Sequence, residues 1–407
     1  LYFSTLEGTL HAVDARTGQE LFSFIPGEKL AVLPKLFQNP AQENPEFGLD
    51  LTWSVLRKDN NGDGKVGAGD KVYIYGGMRM GGSNYYALDV TDRKAPKLLF
   101  ALEAGAGAFA GMGQTWSQPV VSSLKVNGVV RNVLVFGGGY DPQHEIENTL
   151  FAKDGVGNQL YIVDAETGSV IWWASNAGGP SMTVADMKFS VPMSPKPVDM
   201  NADGLIDHIY FGDLGGQVFR VDIDNANTSA STLAKRVQKL ASLAGGSIAT
   251  QRRFFEPPTV ALFQDSAGKY FAGVGLGSGY RSHPLNEATT DHFFVLFDYD
   301  APRPDILTTT ALQKEIAIAD LASADVGTDS VDMTGKMGWY INFADVGEKV
   351  ITSGVFFRNT LIFSSYVPSV EGGDSCAPVI GRSKLYSVCV LGGGLCGNSE
   401  SAITVKD

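Results

Sequence analysis

Apolar and polar residues alternate along most of this chain in short runs, the period of a half-buried β-strand. Five of the clearest runs end alike: His11-Ala-Val-Asp14, Tyr86-Ala-Leu-Asp89, Tyr161-Ile-Val-Asp164, Phe219-Arg-Val-Asp222 and Val295-Leu-Phe-Asp298. A sixth, Tyr386-Ser-Val-Cys389, has cysteine where the others have aspartate, and the six anchors lie 75, 75, 58, 76 and 91 residues apart. Short apolar runs into glycine accompany them, as in Val72-Tyr-Ile-Tyr-Gly-Gly77, Val133-Leu-Val-Phe-Gly-Gly138, His208-Ile-Tyr-Phe-Gly-Asp213 and Phe271-Ala-Gly-Val-Gly275. After the anchor, the first and third copies turn through Arg16-Thr-Gly18 and Glu166-Thr-Gly168, the latter into Val170-Ile-Trp-Trp173. Strand, glycine turn, strand, aspartate turn, strand is the content of a propeller blade.

Six repeats, with the further strand-rich stretch Trp339-Tyr-Ile-Asn-Phe343, suggest six to eight blades, and seven is adopted. The spacing exceeds the ~40–50 residues of compact blades, so each blade carries insertions. Ala402-Ile-Thr-Val405 is expected to close the ring beside Leu1-Tyr-Phe3, removing exposed edges. Leu233, Val237 and Leu240 stand at helical spacing and predict one short amphipathic helix. The expected fold is therefore all-β: one modified seven-bladed β-propeller over residues 1–407, with inserted loops and a short helix.

Composition sharpens this. Apolar residues make up 44% and charged residues 19% of the chain, enough for a large core and contrary to disorder. A formal net charge of -12 with no basic stripe argues against a nucleic-acid partner. No apolar run reaches the roughly 20 residues of a membrane span. The chain starts in strand-like Leu1-Tyr-Phe-Ser4 without an initiator Met or signal peptide, and reads as an excised piece of a longer protein. Cys376, Cys389 and Cys396 match no zinc spacing; one disulfide with one thiol left over is expected, against three reduced thiols.

Two stretches carry metal chemistry. In Asp199-Met-Asn-Ala-Asp-Gly-Leu-Ile-Asp207, Asp199, Asn201 and Asp203 put side-chain oxygens at positions 1, 3 and 5 of a calcium loop. Gly204 follows at the tight turn, and Leu205 offers its carbonyl at position 7. Position 12 would be Tyr210, so Asp207 at position 9 must complete the anionic set. Val198 and Ile209-Tyr-Phe211 flank the loop with strand formers, so the ion is expected in a turn between strands and not between helices. The second stretch is Asp59-Asn-Asn-Gly-Asp-Gly-Lys-Val-Gly-Ala-Gly-Asp70. It places Asp59, Asn61, Asp63, the carbonyl of Lys65 and Asp70 at positions 1, 3, 5, 7 and 12. A metal-free Asn/Gly/Asp hairpin tip would look similar. One calcium ion is expected, or two if the second loop is filled.

Several motifs resemble the PilC/PilY family of type IV pilus biogenesis and tip-adhesin proteins, in their C-terminal propeller. They are Met187-Lys-Phe-Ser-Val-Pro192, Pro197 to Gly204, Asp207 to Asp222, Gly81 to Asp92, Phe136-Gly-Gly-Gly-Tyr-Asp141, Arg252-Arg-Phe-Phe255, Gly277-Ser-Gly-Tyr-Arg281 and Gly338-Trp-Tyr340, in preserved order. The resemblance implies a modified, quinoprotein-like seven-bladed propeller with one calcium ion in the Asp199–Asp207 loop. It implies a place at the bacterial cell surface or pilus, reached through the periplasm and associated with the outer membrane. It also implies calcium-dependent control of pilus extension against retraction, hence twitching motility, and a role in adhesion. The partners would be pilins or minor pilins, pilus assembly proteins, and a host surface protein or glycan. Integrin-binding members use Arg-Gly-Asp, which does not occur here, and the Asp59–Asp70 loop rests on its own spacing.

Two alternatives stand beside this non-enzymatic reading. One is a pyrroloquinoline-quinone dehydrogenase propeller, suggested by Asp164-Ala-Glu-Thr-Gly-Ser-Val-Ile-Trp172; only that copy carries the tryptophan, and the adjacent cysteine pair of many such enzymes is missing. The other is an adhesin whose calcium is purely structural. The histidines, His11, His144, His208, His283 and His292, show no triad or metal spacing, and Trp116, Trp172 and Trp173 read as packing aromatics.

Overall fold

A computed structural model describes residues 1–38, 46–325, 331–368 and 381–391, and the backbone of 403–406. These residues form six sheets, and each sheet contains one of the six anchor repeats. Tyr85–Asp89, Gln159–Asp164, Gln217–Ile223, His292–Asp298 and Arg382–Cys389 are each the third strand of a sheet, and Leu10–Val13 is the central strand of the first. The chain packs as two compact units. One comprises residues 1–142, 154–194 and 228–231 and holds the first three sheets; the other comprises 143–153, 195–227 and 232–407 and holds the last three.

The anchor aspartates are turn formers. Asp14 Oδ1 accepts the N–H groups of Arg16 and Thr17 at 2.9 and 3.2 Å, and Asp164 Oδ1 those of Glu166 and Thr167 at 3.0 Å. Asp298 Oδ1 does the same for Asp300 and Ala301 at 3.0 and 3.3 Å. Each carboxylate thus satisfies donors that a tight turn would otherwise strand. The strand-to-glycine runs have a steric reason too: a Cβ on Gly137 would lie 2.2 Å from the Val191 carbonyl oxygen. Aromatic side chains pack the sheets within each unit. In the first, Tyr85, Phe136 and Tyr161 stand 4.7 and 5.3 Å apart, and Trp173 stacks on Tyr161 at 5.8 Å. In the second, Phe363 stacks between Phe293 and Tyr386 at 4.1 and 4.7 Å.

Three expectations need revision. The helix predicted through Leu233, Val237 and Leu240 is a strand, Ala234–Ser242, paired with Gln217–Ile223. Two register shifts in that ladder break the alternation, so the apolar spacing mimics a helix, and pairing decides the outcome. The one α-helix among the described residues is Leu33–Gln38. Gly338–Asn342, which holds all but Phe343 of the stretch counted toward a further blade, pairs with His292–Asp298 in the fifth sheet. Ile403–Lys406, expected to lie beside Leu1-Tyr-Phe3, pairs with Leu385–Val388 in the last sheet. Cys389 is disulfide-bonded. Cys376 and Cys396 lie outside the described residues.

A buried ionic network joins the fourth sheet to Asp298 of the fifth. Arg220, Asp222 and Asp298 are fully buried and His208 is 2% exposed. Arg220 Nε donates to Asp222 at 2.7 Å and Nη1 to both Asp298 oxygens at 2.6 Å. His208 Nδ1 meets Asp222 at 2.9 Å, and Tyr210 donates to Asp298 at 2.9 Å. His208 is thus a satisfied structural histidine. Burial alone would raise the Asp222 carboxyl, but the His208 hydrogen bond and the Arg220 charge outweigh it and hold the group below its ordinary range.

Replacing Arg220 removes the guanidinium that two buried carboxylates share, with Arg236 at 3.3 Å left on Asp222, so Arg220→Leu is expected to lower unfolding stability by about 3 kcal/mol. Lys71→Ala, which breaks the more exposed 3.5 Å pair with Asp89, should cost under about 1 kcal/mol. Because Asp222 is held below the unfolded value of about 3.9, its contribution is present above that pH and lost as pH falls through the folded value. Urea titrations at pH 7 and pH 3 read both effects, and equal losses for the two variants at pH 7 would contradict the network's role.

Candidate metal loops

Both candidate loops sit at hairpin tips. Lys196–Val198 pairs antiparallel with the start of His208–Gly212, Val198 opposite His208, so residues 199–207 close a tight turn between strands as expected. Ser54–Lys58 pairs in the same way with Lys71–Gly77, Lys58 opposite Lys71, with residues 59–70 at the tip. Glycine at position 6 is required in each: Gly204 has φ +86° and Gly64 +74°, in the left-handed region. Ala202 also sits there, at +61°.

The hydrogen bonding is nearly the same in the two loops. The first aspartate accepts the N–H of the position-6 glycine: Gly204 to Asp199 at 2.7 Å, Gly64 to Asp59 at 2.8 Å. The asparagine accepts the N–H of the next aspartate, Asp203 to Asn201 at 2.9 Å and Asp63 to Asn61 at 3.1 Å. Asp203 and Asp63 accept the position-7 N–H groups of Leu205 and Lys65 at 2.9 and 2.7 Å. The closing aspartate accepts the N–H of residue 2: Met200 to Asp207 and Asn60 to Asp70, at 2.8 and 2.9 Å. These bonds turn the predicted side-chain ligands of each loop toward a common interior.

The loops differ in charge. Asp59, Asp63 and Asp70 form the one trio of acidic groups among the described residues whose oxygens all lie within 4.8 Å of one another. Asp199, Asp203 and Asp207 form no such trio. The Arg57 guanidinium, 3.2 Å from Asp59, offsets part of the negative charge of the second loop. No lysine or arginine pairs with Asp199, Asp203 or Asp207 among the described residues. Asp70 is 2% exposed, and the N–H groups of Gly67 and Asn60 hold its carboxyl below the usual range. A hard cation with oxygen ligands suits either donor set.

Sequence reading missed the braces. Asn225 Nδ2 donates to the Ile206 carbonyl at 3.0 Å, and the Ile223 N–H to the Asp207 carbonyl at 2.8 Å. Both tie the loop to the next strand, and neither carries a local motif. Met200, Asn201 and Asp207 also line a pocket of ≈ 300 Å³ with Ile223, Pro302 and Leu307. Trp172, the tryptophan of the quinoprotein-like motif, is fully buried in its own sheet.

The family profile of the PilY1 beta-propeller domain matches residues 1–274. A type IV pilus biogenesis factor PilY1 homolog of Xylella fastidiosa is 23% identical over 383 residues, 92% of this chain and 28% of that protein. The type IV pilus biogenesis factor PilY1 of Pseudomonas aeruginosa PAO1 is 30% identical over 227 residues, 55% of this chain and 17% of that protein. The chain therefore spans under a third of the length of these relatives. The crystal structure of the P. aeruginosa PilY1 C-terminal domain aligns over 97% of this chain and 79% of that one, with TM-score 0.66 and 20% identity. The fold is that of an all-β, propeller-like domain. No helix of the described residues is long and apolar enough to cross a membrane.

Gly204→Ala forces a side chain into a left-handed backbone and should lower thermal stability, by about 1–2 kcal/mol; Ala202→Gly relaxes the same region and should leave stability unchanged or raise it by up to about 1 kcal/mol. Thermal unfolding of both variants in chelator measures this. Equal effects would contradict the loop conformation.

Proposed function

Because this chain belongs to the PilY1 β-propeller domain family, we propose that it is the calcium-binding, non-enzymatic propeller of a type IV pilus biogenesis and tip-associated protein. In this reading residues 1–407 make one modified β-propeller of the seven-bladed type; the described residues form six sheets. Asp199, Asn201, Asp203, Asp207 and the Leu205 carbonyl hold one calcium ion. Asp59, Asn61, Asp63, Asp70 and the Lys65 carbonyl hold a second, more weakly because Arg57 already offsets part of the charge.

One observation carries the metal assignment: three carboxylates share the tip of a hairpin with no cationic side chain paired to them. Like charges on one hairpin tip repel even at the dielectric of water, so the empty loop is biased toward opening. A bound ion reverses that bias and fixes Met200, Asn201 and Asp207, which also form one wall of the adjoining pocket. Calcium would thus select one arrangement of a surface that a partner reads. The partners are pilins, minor pilins or pilus assembly proteins, and a host surface protein or glycan in adhesion. The function is control of pilus extension against retraction, at the cell surface and outer membrane after export through the periplasm.

Calorimetric calcium titration of the chain, Asp203→Ala and Asp63→Ala tests the assignment. Two sites are expected in the parent chain, and each variant should lose one or weaken it at least about tenfold, which is about 1.4 kcal/mol. Unchanged binding in both variants overturns the site assignment. Normal twitching and piliation in cells whose full-length protein carries Asp203→Ala overturns the regulatory role.

A further inference from the structure

Three of the six sheets recruit a fifth strand, and always in the same manner. Met182–Thr183 pairs parallel with Ala174–Ser175, Ile316–Ala317 with Ala241–Ser242, and Ala322–Asp325 with Trp339–Asn342. The receiving strand in each case is the fourth of its sheet. These added strands satisfy the backbone groups that an edge would leave open.

The second sheet has the same four-strand order and no added strand. Its fourth strand, Lys97–Leu102, pairs with Tyr85–Asp89 on one side, and its other side has no partner among the described residues. It contains no proline and Leu98 is 59% exposed; the features that guard it are one bulge at Leu99 and the charge of Lys97. Among the described residues neither Lys97, at its start, nor Lys94 nearby has a carboxylate partner. The chain shows what such a lysine pairs with. Glu315, directly before Ile316–Ala317, meets Lys239 of the strand being capped at 3.2 Å.

We propose that the Lys97–Leu102 edge is a docking site for a partner protein, which adds an extended segment as a parallel fifth strand. The segment has an acidic residue at its start, beside Lys97, followed by small and aliphatic residues, the chemistry of Glu315-Ile-Ala-Ile-Ala319. Main-chain bonds supply the affinity, and the acid–lysine pair sets direction and register. The strand Glu20–Phe24 at the edge of the first sheet is not equivalent, because it begins with an acid that already pairs with His11 at 2.7 Å. This inference stands apart from the calcium reading and does not depend on it.

Hydrogen–deuterium exchange of the whole chain, with and without the acetylated and amidated peptide Glu-Ile-Ala-Ile-Ala at millimolar concentration, tests it. Exchange over residues 97–102 should slow at least about threefold, with Glu20–Phe24 unchanged. A peptide beginning with Lys should protect less, and Lys97→Glu, a change at an exposed side chain, should reverse the preference between the two peptides. An exposed ion pair of this kind is worth roughly a two- to fivefold difference in affinity. No protection at 97–102, equal protection at Glu20–Phe24, or a preference that Lys97→Glu does not reverse would each overturn the proposal.

Discussion

A carboxylate seated in a tight turn must find donors or a cation, and that requirement shapes this chain from its repeats to its candidate sites. Where a single aspartate ends a strand, two N–H groups of the following turn seat it and an exposed arginine stands nearby, Arg93 at Asp14 and Arg131 at Asp164. Where two buried aspartates meet, donors alone are not enough, and Arg220 lies between Asp222 and Asp298. Where three gather at a hairpin tip, backbone donors orient them without cancelling their charge. The same residue type thus serves as turn former, buried ion-pair partner and candidate metal ligand, according to how many share a place and what cation is available.

The two hairpin loops show how a ligand set can be supported without helices. Antiparallel pairing fixes both ends of each loop, and a left-handed glycine at the sixth position reverses the chain. The interior N–H groups then hold each side chain in place. With nearly the same hydrogen bonding, only the loop closed at position 12 gathers its three acids within 4.8 Å among the described residues. The neighbouring Arg57 further distinguishes the two loops in charge.

Much of this was legible in the sequence, because the signals are local. The six anchor runs correspond to six sheets, and both loops lie at strand-to-strand turns where spacing and flanking residues place them. Less was legible where structure depends on distant pairing. Ala234–Ser242 takes its conformation from the strand beside it, and its bulges hide the alternation. The parallel fifth strands are as short as two residues and have no pattern of their own. Arg220 finds Asp298 across 78 positions, and Asn225 reaches back to Ile206, with no motif to announce either contact.

The central claim is that the hairpin tip at 199–207 is a cation site built by spacing and held by strands. Crystals of the chain grown in calcium, with anomalous difference maps, test it most directly. The account predicts a peak about 2.3–2.6 Å from side-chain oxygens of Asp199, Asn201 and Asp203 and from the Leu205 carbonyl oxygen. A well-ordered loop with no peak at saturating calcium, its carboxylates turned outward to solvent, would contradict it.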